Sequence, residues 1–311
     1  MHTLAKRGVS LISERIDVLC VGLATFDIIL EVDHHPGEDE KSFASTLLSC
    51  GGGPASNAAV AVARLGGKGS FMGYLGKDVQ GEQHLQELLE ENVHTEGIVR
   101  GESPTPLSVI LVKPQGHRTV VSYKGASPSL PWRPERMPAT LPGCVLFDGH
   151  QPGLSVPLAR LCVEKGVPTV LDGGSVHEGT LSLLPLVDHA VVSTSFARRF
   201  SGEHDLEKAM ARLKDQAPCV VITMGEKGLL WQKGGSSGHV KAFSIDAVDT
   251  TGAGDTFHGA YALCVSRGED LAATLKKSSA AAALCCRKVG ARRGIPRKRE
   301  LNDFLQIYGQ G

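Results

Sequence analysis

The string DTTGAGDTFHGA spans residues 249–260. It places two threonines, two glycines and two aspartates at the entry to an apolar run with helical spacing. Gly252-Ala253-Gly254 can curl so that successive backbone N–H groups converge, and a helix running to about Arg267 adds the positive end of its dipole. Together they would hold an anion. Asp255 falls in the first turn, where the dipole favours its ionised form. A fixed carboxylate beside an anion hole is what phosphoryl transfer to an alcohol needs. The carboxylate accepts the hydroxyl proton while the N–H groups stabilise the moving phosphoryl. The same string also suits an ordinary helix start with glycine turns, and spacing alone leaves the two readings even.

A second glycine cluster, GGGPASN at residues 51–57, opens another helix. Three leading glycines let a ligand lie close to the backbone, and Asn57, one turn in, has an amide to offer to sugar hydroxyls. A ligand-free turn is the competing reading. Asp27 follows the first strand, at the strand edge where open α/β sheets bind ligands. Other chemistries find less support. No GxxxxGK[ST] string occurs, so a Walker loop is excluded. GGSSG at 234–238 lies between two strand-like runs and reads as a hairpin loop rather than a nucleophile elbow. No HExxH string appears, and His34-His35 reads as a loop pair.

The elements that must position these residues come from hydrophobic patterning. Short β-branched runs at 16–22, 69–76, 144–149, 167–174, 188–193 and 218–225 alternate with amphipathic stretches such as 54–67, 78–93, 153–166 and 205–216. This alternation predicts an α/β fold, a mostly parallel sheet covered on both faces. Two stretches, 28–50 and 106–125, carry strand patterns without a helix between them, the second a hairpin turning at PQGH. They predict a small β-sheet projecting as a lid that excludes water. The expected organisation is a main domain from 15–30, 51–105 and 126–311, a lid from 31–50 and 106–125, and a loose tail over 1–14.

Composition agrees with a globular enzyme. Of 311 residues, 41% are hydrophobic and 21% charged, with 33 basic against 33 acidic side chains. That balance offers no argument for nucleic acid or an anionic membrane as partner. No apolar run reaches membrane-spanning length. The eight cysteines contain no CxxC pair, which suits reduced, buried thiols in a cytoplasmic protein.

With these residues in hand a resemblance appears. GGGPASNAAVAVARLGGKGSFMGYLGKDVQGE is similar to the first signature of the ribokinase-like (PfkB) carbohydrate kinases, and DAVDTTGAGDTFHGAY resembles the second. VITMGEKGLL looks like their nucleotide-site strand and turn, and RRGIP like their C-terminal region. The likeness runs from about Ile16 to Phe304. It implies a three-layer αβα domain with a β lid. It also implies an ATP- and Mg²⁺-dependent kinase acting on a primary hydroxyl of a ketose or furanose sugar. Carried over by position, Asp255 is the base, and Gly252, Ala253 and Gly254 form the anion hole. Asp27, Gly52, Gly53 and Asn57 bind sugar, and Thr223, Gly225 and Gly228 line the nucleotide. Asp249 and Thr251 resemble the start of a K⁺ loop that KVGARRG would complete. The lid implies a homodimer interface.

One departure stands out. Where the family often has Asn-x-x-Glu, a support for Mg²⁺, this chain reads Ser193-Thr194-Ser195-Phe196. Within the family the chain looks closest to the sulfofructose kinase branch. Lys41 keeps that branch's lid lysine, while Ser122 replaces its asparagine and His150 its arginine. Without the guanidinium fork, strong oxyanion selectivity is not expected. A nucleoside kinase, and a catalytically silent sugar sensor, are the competing functions. Phe43 and Tyr123 are the aromatic candidates for holding a base, and the intact GAGD argues against silence.

Overall fold

The computed structural model describes residues 15–113, 118–125, 129–138 and 140–308. The tail expected over 1–14 and the PQGH turn at 114–117 lie outside the described residues. The chain begins with strands β1 (Val18–Gly22), β2 (Thr25–Glu31) and β3 (Thr46–Gly52). Helix α1 (Pro54–Arg64), strand β4 (Gly69–Gly76), helix α2 (Val79–Glu90) and strands β5 (Val99–Gly101), β6 (Leu107–Val112) and β7 (Arg118–Tyr123) follow. Three βα steps and a further strand come next: β8 (Cys144–Phe147), α3 (Pro152–Lys165), β9 (Thr169–Gly173), α4 (Glu178–Leu183), β10 (His189–Ser193), α5 (Thr194–Ser201), α6 (Leu206–Leu213) and β11 (Cys219–Thr223). The hairpin β12 (Leu229–Lys233) and β13 (Ser236–Val240) leads to helices α7 (Ala253–Ser266), α8 (Leu271–Cys285), α9 (Ala291–Gly294) and α10 (Lys298–Tyr308).

Nine strands form the main sheet in the order β13-β12-β11-β10-β9-β8-β1-β4-β5. All neighbours from β5 to β11 pair in parallel, and the β12–β13 hairpin closes the edge antiparallel. GGSSG is the turn and far strand of that hairpin, as its flanking strand pattern predicts. The layers follow from a period of two along each strand. In β1, Val18 and Cys20 pack into one apolar cluster with α1, α7 and α8, while Leu19 and Val21 enter another with α3, α5 and α6. Every residue of β1 and β4 is buried, as parallel strands between two helical layers must be. Among the described residues no helix is long and apolar enough to cross a membrane.

Caps fix where the helices start. Asp78 accepts the Gly81 N–H at 2.7 Å at the head of α2, and Asp205 accepts two N–H groups at the head of α6. Each such cap is worth about 1 kcal/mol. The eight cysteines are all free thiols, six of them buried, and burial pushes their pKa values up.

The second sheet has four strands, β3-β2-β6-β7. It begins at Thr25, so residues 25–30 belong to this sheet rather than to the main one. Only Ile29, Ile110 and Val112 form its buried cluster, with Leu48 and Cys50 packed beside them. All six residues of β7 are exposed.

Candidate active site

Helix α7 starts where the sequence places it. Gly252 is the N-cap with φ of 76°, a left-handed conformation that side chains disfavour. A Cβ there would also sit 2.5 Å from that of Ala291. Gly254, two residues on, is different. It is helical, and a Cβ would meet nothing within 4 Å. The left-handed position is therefore Gly252, and Gly254 borders open space at the mouth of the helix.

Asp255 stands half-buried in this first turn. The amide nitrogen of Asn57, in the first turn of α1, donates to its Oδ2 at 2.7 Å. The two glycine clusters thus meet at one point, 198 residues apart in the chain. Burial pushes the Asp255 carboxyl up to about 6, and the nearby Asp172 carboxylate adds to the rise. The Asn57 hydrogen bond, His258 and Arg118 act in the other direction.

Asn57 was expected to offer its amide to sugar. Both its ends are already engaged. Arg292 Nε donates to Asn57 Oδ1 at 2.8 Å, and because a guanidinium only donates, the amide orientation is fixed by chemistry. Arg292 is buried. Its Nη2 donates to His84 Nε2 at 2.7 Å and to Ser56 Oγ at 3.3 Å, and Nη1 lies 3.6 Å from Glu87 Oε2. His84 must accept from the arginine, so its proton sits on Nδ1. Burial, with the arginine charge, holds its pKa well below the usual value.

Asp27, on β2, is buried and faces the same region. Thr25 Oγ1 donates to it at 2.7 Å. Burial pushes its carboxyl up to about 6, while Thr25, Arg292 and Ser108 pull it down. A Cβ on Gly52 would fall 2.0 Å from the Asp27 carboxylate. Gly52 therefore covers that group, and Gly53 begins the turn into α1. Ser122, on β7, reaches Ser108 at 3.2 Å, which links it to Asp27 through one hydroxyl.

His150 lies just beyond β8. Its ring stacks on His177 with centroids 4.6 Å apart. Its Nδ1 accepts from Lys124 Nζ at 3.2 Å. Both line a cavity of 740 Å³ that also takes in Leu23 and Gln151. Lys41, expected on a lid strand, is instead in the loop before β3, exposed, with its Nζ 5.4 Å from the Phe43 ring centre. The physical reason is local. Asp39 is left-handed, and the Gly37 N–H donates to Glu40, so this acidic run turns rather than extends.

The nucleotide candidates sit across the main sheet. Thr223 ends β11 and its hydroxyl donates to Val192 O at 3.3 Å. Gly225, at φ of 60°, has open space where a Cβ would stand, whereas a Cβ on Gly228 would fall 2.0 Å from Val240 O. Such a cradle fits phosphates or a base laid against backbone. Ser193 accepts the Phe196 N–H at the head of α5 and donates to Gly174 O. The residues in place of Asn-x-x-Glu thus cap a helix. Asp249 is buried. Its Oδ1 accepts from the Thr251 N–H and hydroxyl, and its Oδ2 accepts the Gly290 N–H at 2.8 Å. Among the described residues, no three His, Cys, Asp or Glu are grouped to hold a metal ion.

Three participants escaped the sequence reading. Arg292 was visible only as part of RRGIP. His258 sits in the DTTGAGDTFHGA string, and its ring contacts Gly254 O at 2.7 Å, Val191 O at 3.0 Å and Asp172 Oδ2 at 3.4 Å. Arg118, the first residue of β7, donates to Thr250 Oγ1 at 2.7 Å. An arginine placed just after the hairpin turn was the available signal.

Comparison with known proteins bears on the family and the fold. The sequence model described as pfkB family carbohydrate kinase matches residues 15–298. The ribokinase of Haemophilus influenzae is 28% identical over 297 residues, covering 92% of this chain and 97% of that protein. The deoxyribokinase of Salmonella typhi is 27% identical, covering 94% and 99%. The solved structure of Arabidopsis thaliana ribokinase complexed with ribose and ATP superposes with a TM-score of 0.80 at 25% identity, covering 94% and 99%.

Proposed function

Because the chain belongs to the pfkB family of carbohydrate kinases and is an ATP-dependent sugar kinase, we propose that it phosphorylates a primary hydroxyl of a neutral furanose or ketose, with Asp255 as base. One observation carries the assignment of roles. The Asn57–Asp255 hydrogen bond joins the start of α1 to the start of α7, beside the open space over Gly254. A sugar held by Asp27 and the Gly52-Gly53 turn would present its hydroxyl to Asp255.

The hydroxyl oxygen bonds to the γ-phosphorus as the bond to the β,γ-bridging oxygen breaks. The hydroxyl proton passes to Asp255, and ADP leaves with the bridging oxygen. Backbone N–H groups of Gly252, Ala253 and Gly254 face the charge that spreads over the phosphoryl oxygens. Asn57, pinned by Arg292, orients the Asp255 carboxylate. Thr223, Gly225 and Gly228 receive the nucleotide. Among the described residues no group of His, Cys, Asp or Glu stands ready for a metal, so Mg²⁺ would be carried by the ATP phosphates and would supply neutralisation of their charge. The Asp249–Gly290 bond brings together the two loops that would enclose K⁺. Their backbone carbonyls would be its ligands, since the Asp249 carboxylate already accepts three hydrogen bonds.

The substrate class rests on charge. Asp27 is an acceptor suited to hydroxyls and repels anions. Lys41 is exposed on a loop over Phe43, and the His150–Lys124 pair offers no bidentate fork. The relatives' names point to ribose, and 2-deoxyribose and fructose are the further sugars to assay. The exposed Val120, Val121 and Tyr123 of β7, with Leu47 of β3, support pairing of two lids in a homodimer.

The test is ADP release with D-ribose, 2-deoxy-D-ribose, D-fructose, sulfofructose and adenosine, each with ATP. Turnover with a neutral sugar is the expected result. Turnover confined to adenosine would make the chain a nucleoside kinase, and ATP binding without turnover would make it a sensor. Light scattering of the pure protein checks the dimer.

A further inference from the structure

Phosphoryl transfer leaves one demand that the main domain does not meet. The moving group spreads negative charge over three oxygens. The α7 N–H groups cover one side of it. Among the described residues, Arg292 is buried behind Asn57 with Nε and Nη2 bonded inward and Nη1 turned to Glu87 at 3.6 Å, and the segment 193–196 adds no charge. The side facing the lid needs a cation.

Arg118 stands there. It opens β7, the outer strand of the small sheet, and reaches 132 residues along the chain to Thr250, two residues before the α7 N-cap. Its charge acts on Asp255 and on Cys286, whose carbonyl accepts the Val248 N–H beneath the same loop. The hydrogen bond to Thr250 places the guanidinium beside the mouth of α7. Only Nη1 is engaged, by Thr250, among the described residues. Nε and Nη2 remain as donors, in a planar fork that matches phosphoryl oxygens. The space over Gly254, where the phosphoryl would stand, is open.

We propose that Arg118 is a catalytic residue delivered by the lid, whose guanidinium contacts the transferring phosphoryl group opposite the α7 N–H groups. Thr250 is its rest. The proposal builds on the kinase reading above and adds a lid-borne cation to the chemical step. It also gives lid closure a second task besides excluding water, because the charge arrives only when the small sheet sits over α7.

The test compares R118A, R118Q, R118K and T250V in steady state, with ATP and whichever sugar the wild type phosphorylates. R118A and R118Q should lower kcat by about 10²–10³, the scale of one lost transition-state donor. KM for sugar and ATP should stay within about threefold. R118K should recover part of the rate, and T250V should stay within about threefold of wild type, because the guanidinium is retained. A second readout is binding of ADP with aluminium fluoride and sugar, which mimics the phosphoryl in flight. R118Q should lose the thermal shift that this mixture gives, while ATP alone shifts both proteins equally. A kcat for R118Q within about threefold of wild type would overturn the proposal. So would equal losses in R118Q and T250V, which would make Arg118 a latch for the lid. Absence of turnover in the wild type with every sugar would sink the kinase reading itself, and this proposal with it.

Discussion

The floor of the site and its lid are built on different terms. The floor rests on a doubly covered sheet, and its polar groups are tied into one another. Arg292 alone bonds Asn57, Ser56 and His84. The lid's own apolar cluster has three buried side chains, and its outer strand hides none of its residues. Asp255, Asn57 and Arg292 are tied to one another, whereas Arg118 on the outer strand has one hydrogen-bond partner among the described residues. Precision at the base and freedom at the lid are assigned to separate sheets.

Substitutions can break that contrast or sharpen it. Asp255→Asn should have the largest effect. The new amide oxygen can still accept from Asn57, so the fold should hold, while kcat should fall by about 10²–10⁴. A variant within a few-fold of wild type would remove Asp255 as base. Stability should move the opposite way. A carboxyl raised to about 6 binds protons more tightly folded than unfolded, so its contribution to stability is lost as pH rises from about 4 to 6. Asp255→Asn should therefore raise Tm at pH 7. An unchanged or lower Tm would contradict the raised carboxyl.

Next is Arg292→Met. Removing a buried, bonded charge strands Asn57 and Glu87 and should cost about 3 kcal/mol of stability, read by urea unfolding, with activity lost as well. If stability stays while activity drops, the network is not structural. The pH profile should report both sheets, since Asp27 lies on β2 of the small one. Asp27 and Asp255 are both raised to about 6 by burial and must be ionised to accept hydroxyl hydrogens. kcat/KM should then climb by at least about tenfold per unit below pH 6 and level above it. A profile flat down to pH 5 would mean that neither carboxylate is essential.

The lid should respond more gently. Ile110→Ala empties part of its small cluster. Because the lid can open without unfolding the main sheet, we expect sugar KM to rise by about three- to tenfold with little change in Tm. A large global destabilisation would show that lid and floor fold as one unit. Lys41→Ala should be smallest, with KM changed by less than about twofold, since the side chain is exposed over Phe43. A larger rise confined to an anionic sugar would put Lys41 back in the site.

The sequence disclosed these regions unequally. The β1, β4 and β8–β11 strands, the Asp78 cap and the α7 start were legible because each is a local pattern, a period of two or a turn residue before a helix. So was the meeting place of the two glycine clusters, through resemblance. Arg292 bonding Asn57 across 235 positions was not, since nothing local marks an arginine for burial. Arg118 was hidden for the same reason. Lys41 misled because a polar run beside strand-like residues resembles a strand until a left-handed Asp39 turns it.

The bare outer strand of the lid has a consequence over generations. A residue with no buried face in its own chain can be exchanged at almost no cost in folding that chain, so drift at 119–123 would be limited by the pairing of two lids and not by the fold, unlike drift at 54–62. New sugars could then be sampled by rewriting that margin while the inherited chemistry beneath is kept. Recombination of lids between relatives would be the laboratory equivalent, a way of changing diet without changing the engine.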